Sequence, residues 1–119
     1  MADKSEILEE IEKRVGEAHS YLGLDQARDE MTQLESRAAS PDLWDNQEEA
    51  RRVTGRLANL RDDIERWEKV RCELDDVLTL ELLAREEGDE SVADEIDEGI
   101  ASLAAQLDDI ELFALFSGE

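Results

Sequence analysis

The sequence predicts an all-α fold: an antiparallel helical bundle built on a long two-helix hairpin, with shorter helices ahead of it. Three observations carry that expectation. Apolar residues recur at three- and four-residue spacing in separate blocks, the mark of amphipathic helices. Aromatic residues make up only 4% of the chain and proline appears once, a composition that favours helix over a β-rich fold. No strand-like alternation competes with the helical rhythm. At 119 residues the chain is read as one helical domain, residues 1–119, long enough to bury a core without disulfides or metals.

The first helix is expected over about 5–21, because Ile7, Leu8, Ile11, Val15, Ala18 and Leu22 fall on one face. Asp3 or Ser5 can cap its start and Gly23 can end it. A second helix, about 25–39, carries a thin apolar face of Ala27, Met31, Leu34 and Ala38. Pro41 disfavours helical geometry at Ser40, so that helix should stop there. In "SPDLWDNQEEA" the Asp45–Glu48 spacing reads as a capping box for a third helix, about 46–87 and roughly 60 Å long. Its stripe is Val53, Leu57, Leu60, Ile64, Trp67, Leu74 and Leu78, with Arg71 interrupting and Val70 or Val77 able to carry the seam round. Asp62–Arg66 and Glu65–Lys69 give it acid-first pairs. Gly88 breaks this helix, Asp89 or Ser91 can cap the next, and a fourth helix is expected over about 90–116. Val92, Ile96, Ile100, Leu103, Leu107 and Ile110 form its stripe, which should close near Ser117-Gly118.

Folding about Gly88 places residue 88+n beside residue 88−n. Ile110 then falls near Arg66 and Trp67, Phe113 near Asp63 and Ile64, and Phe116 near Leu60. The same register sets Asp108, Asp109 and Glu111 beside Arg66, Lys69 and Arg71, predicting ion pairs across the hairpin. The terminal "LFALFSGE" concentrates four large apolar side chains, and it either closes this core or leads into further structure. Self-association through that greasy end is expected.

Charge excludes several functions. With 34 acids against 13 bases the net charge is −21, so a broad nucleic-acid footprint or an anionic membrane surface is not expected. No apolar stretch approaches the roughly 18 residues of a membrane span, and the acidic start is unlike a signal peptide. Cys72 stands alone, which rules out an internal disulfide and a cysteine-cluster metal site and fits a reduced, cytoplasmic setting. Cys72 is read as a partly buried structural thiol and His19, the one histidine, as a surface residue of the first helix. The acidic runs "EEGDE" and "DEIDEG" lack the spacing of a calcium loop and read as solvated helix ends. Arg51, Arg52, Arg56 and Arg61 are the densest bases, interleaved with acids on a solvated face. Trp67 is expected in the core, and Trp44 to tuck the "SPDLW" turn against the bundle. No residues assemble as a catalytic, cofactor or metal site, so neither enzyme activity nor a cofactor is expected.

The run "YLGLDQARDEMTQLESRAASPDLWDNQEEARRVTGRLANL", then "LLAREEGDES" and "LFSGE", resembles the N-terminal domain of bacterial peptide chain release factor 2, collinearly over about residues 21–119. The proline-aspartate-leucine-tryptophan turn and the terminal Ser-Gly-Glu step are the most specific parts. One departure is that Phe113 and Ala114 stand where the family commonly has a basic pair. The resemblance implies a class I translation termination factor for UGA and UAA stop codons. Its Ser-Pro-Phe codon-reading tripeptide and Gly-Gly-Gln hydrolysis loop belong to other domains, and neither string occurs here. It further implies a non-catalytic fragment of a longer factor, with the ribosome near the large-subunit stalk base and the GTPase release factor as partners. The rival reading is a free-standing acidic helical adaptor or coiled-coil scaffold.

Overall fold

The computed structural model describes residues 3–116. Among them the chain is all-α: α1 (Lys4–Tyr21), α2 (Leu24–Ala38), a short 3-10 turn (Pro41–Asp45), α3 (Gln47–Glu87) and α4 (Ala93–Phe116). The expected Ser117-Gly118 helix end and the Ser-Gly-Glu step lie outside the described residues. The chain divides into two compact units, Met1–Tyr21 with Trp67–Glu119, and Leu22–Arg66.

In the unit formed by Leu22–Arg66, Gly23 adopts a left-handed conformation (φ 58°) and its carbonyl accepts the first bond of α2, from the Ala27 amide at 2.8 Å. Ser40 is extended (φ −79°, ψ 123°), as a residue before proline should be, and Pro41 opens the 3-10 turn, where a missing N–H costs nothing. Leu43, Ala50, Val53 and Leu57 form a buried cluster covered by Met31, Leu34 and Ala38, so the thin face of α2 finds its partner in the start of α3. Asn46, not Asp45, caps α3: its Oδ1 accepts the Glu49 amide at 3.2 Å, while Asp45 is consumed by the 3-10 turn. Glu49 does not reach back as a capping-box acid would, because Arg37 Nε donates to its Oε1 at 3.0 Å.

In the other unit, α1 buries Leu8, Ile11, Val15 and Ala18, and α4 buries Ile96, Leu103, Leu107, Ile110 and Ala114. The stretch of α3 from Trp67 contributes Val70, Leu74 and Val77. Valines at 70 and 77 thus replace the heptad positions of Arg71 and Leu78, because following the seven-residue period would carry the Arg71 charge into the core. Gly88 is left-handed (φ 63°) and ends α3; the Asp89 amide donates to Ala84 O at 3.0 Å, the six-to-one bond of a Schellman stop. Asp89 Oδ1 then accepts the Ser91 amide at 2.8 Å. That bond stabilises the turn itself, and α4 begins at Ala93, later than the expected residue 90. Beyond the turn, Gly99 lies against the Val77 side chain and Gln106 Nε2 donates to Glu73 Oε2 at 2.6 Å. Both contacts agree with a chain that doubles back near Gly88.

Two expectations are corrected at the end of α4. Asp108 and Glu111 are engaged by Arg14 of α1, where Arg66, Lys69 and Arg71 were expected; Arg71 pairs instead with Asp75 on its own helix at 3.3 Å. Leu112, Phe113, Leu115 and Phe116 are exposed, Phe116 at 83%, and the position that turns inward is Ala114. The hairpin register alone omitted α1, which takes up the face of α4 that carries those acids.

Candidate functional site

The polar centre of the first unit is Arg14. Its Nε and Nη2 donate to the two oxygens of Glu111 at 3.0 and 2.9 Å, and Nη2 also meets Asp108 Oδ1 at 2.7 Å. A planar fork matched to a carboxylate is the geometry in which arginine outperforms lysine. The hydrogen bond to Glu111 is the main reason the guanidinium titrates above its ordinary range. Asp108 and Glu111 sit three residues apart on one face of α4, so a single arginine from α1 ties two acids and fixes the pairing of the helices. Lys4 repeats the link one helix end away, with Asp97 at 3.3 Å.

The two indoles take different roles from those the sequence implied. Trp67 is half-buried; its Nε1–H donates to Val15 O at 3.0 Å, and its ring meets His19 edge-on with centroids 5.1 Å apart. His19 is accordingly a packing partner rather than a free surface residue. In the second unit Leu43, fully buried, is the side chain that anchors the proline turn, while Trp44 is 57% exposed and caps the end of α2 by donating to Ala38 O at 3.3 Å. Cys72 is exposed, contrary to the partly buried thiol expected, because the seam passes through Val70 and Leu74 on either side of it.

The arginine-rich stretch of α3 is stitched to α2 within the second unit. Arg56 makes a fork to Glu30 at 2.6 and 2.9 Å, and Arg61 reaches Glu35 at 3.4 Å. The Arg56 contact holds the Glu30 carboxyl below its usual range, and Arg37 does the same to Glu49. Asp42 is held low chiefly by the Ser40 hydroxyl, with Arg37 beside it. Asp63, partly withdrawn from solvent, is pushed up by burial.

Among the described residues, the concavities of the first unit include one on its helical face and one at its turn. One, of about 490 Å³, runs between α1 and α4 and is lined by Ile7, Ile11, Ile100 and Ala104 with Glu6, Glu10 and Arg14 at its edges. The other, of about 390 Å³, lies at the turn, where Lys4 and Arg85 face Glu81, Asp89 and Glu90. Among the described residues no group of three or more His, Cys, Asp or Glu side chains is placed to hold a metal ion, and no helix is long and apolar enough to cross a membrane. The acidic runs around Gly88 form helix ends and a turn. What remains chemically distinctive is the end of α4, where Leu112, Phe113, Leu115 and Phe116 stand in solvent next to the Arg14 cluster. The four residues were legible as a cluster in the sequence, but the arginine beside them was not, because its partners lie 94 and 97 positions away.

The PCRF domain model matches residues 27–119. The chain is 40% identical over 117 residues to peptide chain release factor 2 of Acidothermus cellulolyticus, covering 98% of this chain and 32% of that protein. Against the same-named protein of Salinispora tropica it is 35% identical over 118 residues, 99% of this chain and 32% of the relative. For Streptomyces avermitilis the figures are 32% identity over 119 residues, 100% of the chain and 32% of the relative. The chain therefore spans about a third of the length of these relatives.

Proposed function

We propose, from the premise that the chain belongs to the PCRF domain family, that it is a helical domain of a bacterial translation termination factor and acts by binding rather than by catalysis. One observation carries this reading: the similarity to release factor 2 runs through nearly the whole chain, across both compact units. In such a factor the UGA and UAA reading and the promotion of peptidyl-tRNA hydrolysis fall to other domains, and neither a Ser-Pro-Phe nor a Gly-Gly-Gln string occurs in this sequence. The domain's own part is to make protein contacts on the cytoplasmic ribosome, near the base of the large-subunit stalk, and with the GTPase release factor.

The physical character of the chain supports a protein-binding role. A net charge of −21 repels the phosphates of ribosomal RNA, so contact with the ribosome should run through its basic proteins. The helices are cross-tied by forked arginine–carboxylate pairs, which hold their outward faces in fixed geometry. A free-standing acidic adaptor shares this character, and the family match favours the termination factor over it.

The test is competition. Ribosomes halted at a UGA codon are titrated with labelled intact release factor 2 in the presence of excess chain. The expected outcome is reduced occupancy by the intact factor together with no release of the nascent peptide by the chain alone. Full occupancy at saturating chain would favour the adaptor reading.

A further inference from the structure

The end of α4 has a composition that its surroundings do not use. Of residues 112–116 only Ala114 is buried; Leu112 is 52% exposed, Phe113 49%, Leu115 76% and Phe116 83%. A helix that is apolar on every side is normally enclosed on every side. Four large apolar side chains in five consecutive positions also form a continuous exposed patch, unlike the isolated exposed leucines common on any surface.

The surrounding charge indicates what covers this patch. Helix α4 carries seven acids, Asp94, Glu95, Asp97, Glu98, Asp108, Asp109 and Glu111, and no lysine or arginine. Beside the patch a single base, Arg14, ties two acids, Asp108 and Glu111, so that cluster is net negative even with both ion pairs formed. A second copy of the chain would bring the same acidic rim against itself. RNA and anionic lipid would be repelled as well. An oily knob with an acidic collar complements a partner whose apolar face is flanked by lysine or arginine.

We propose that the end of α4 is a docking site for a cationic amphipathic segment of another protein, with Phe113, Leu115 and Phe116 entering its apolar face and Asp109 with the Arg14-bound acids meeting its bases.

The whole chain is titrated against a labelled Leu/Lys peptide with leucines at helical spacing, with anisotropy as the readout. Two comparison peptides are used: one of identical composition with the leucines scattered, and a patterned Leu/Glu peptide. The patterned cationic peptide should bind best, and more weakly as salt is raised. Leu115→Gln with Phe116→Gln should weaken it at least about tenfold, since two large apolar side chains leave the contact. Glutamine is chosen because an added carboxylate would oppose the helix dipole at this end. Leu82→Gln, an exposed leucine of α3, should leave binding unchanged. Circular dichroism of each variant establishes that the helices are retained. Equal binding of the scattered peptide, equal loss in Leu82→Gln, or preference for the Leu/Glu peptide would overturn the proposal. So would absence of binding, whether or not sedimentation shows the chain pairing with itself through this end.

Discussion

Gly99 is an interior residue of α4, where an alanine would ordinarily be the better helix former by about 1 kcal/mol. A Cβ added there would fall well inside van der Waals distance of Val77 Cγ2. Valine cannot simply swing aside, because its branched Cβ leaves essentially one rotamer open in a helix. Overpacking of this kind costs roughly 1–3 kcal/mol, so the clash should outweigh the gain in propensity. Gly99→Ala is therefore expected to lower stability in urea unfolding. Adding Val77→Ala should cost less in the Gly99→Ala background than in the native one. If Gly99→Ala is stabilising, α3 and α4 do not approach as closely as described.

Element boundaries show how far local signals reach. Pro41, Gly23 and Gly88 each act through their own backbone, and the sequence marks all three plainly. The start of α3 was less legible, since "DNQEE" offers Asp45 and Asn46 as neighbouring caps, each with a glutamate three residues on. Both cannot serve, and the 3-10 turn decides between them by carrying Asp45 into its own last position. Asn46→Ala should thus cost about 1 kcal/mol while Asp45→Ala costs much less, a difference readable as unequal shifts in thermal midpoint. Equal losses would mean that the cap is shared. The partner of Asp108 and Glu111 was not legible at all. Hairpin arithmetic relates α3 to α4, but nothing local indicates where α1 lies, and Arg14 comes from α1. The seam of α3 was legible even where it shifts: Arg71 interrupts the stripe, and Val70 and Val77, the residues able to carry it round, are both buried.

Over the whole molecule the dominant electrostatic fact is 34 acids against 13 bases. Self-repulsion on that scale opposes the compact state, and salt screens it over roughly 8–10 Å at 0.1–0.15 M ionic strength. The thermal midpoint should therefore rise with added sodium chloride, despite the weakening of surface ion pairs; a falling midpoint would mean that the pairs outweigh the repulsion. Acid acts through two opposed sets of groups. Glu30, Asp42, Glu49 and Asp89 have folded pKa values below their ordinary 4.5 or 3.8, so their stabilisation is complete above those values. It is lost only as pH falls through the lowered folded values. Asp63 has the opposite sign: burial raises its folded value, so its ionised form costs stability at neutral pH and protonation relieves that cost. As pH falls, the paired carboxylates stay ionised until their lowered values are reached, whereas Asp63 is relieved of its cost as pH falls through its raised folded value, so stability should hold or rise before the acid limb. Below about pH 4 the paired set protonates and stability should fall. Urea midpoints measured across this range trace the profile, and Asp63→Asn should flatten its upper limb while leaving the acid limb in place. A decline that begins while the paired carboxylates are still ionised would show that neither the relief of Asp63 nor that of the acidic surplus governs how this chain responds to acid.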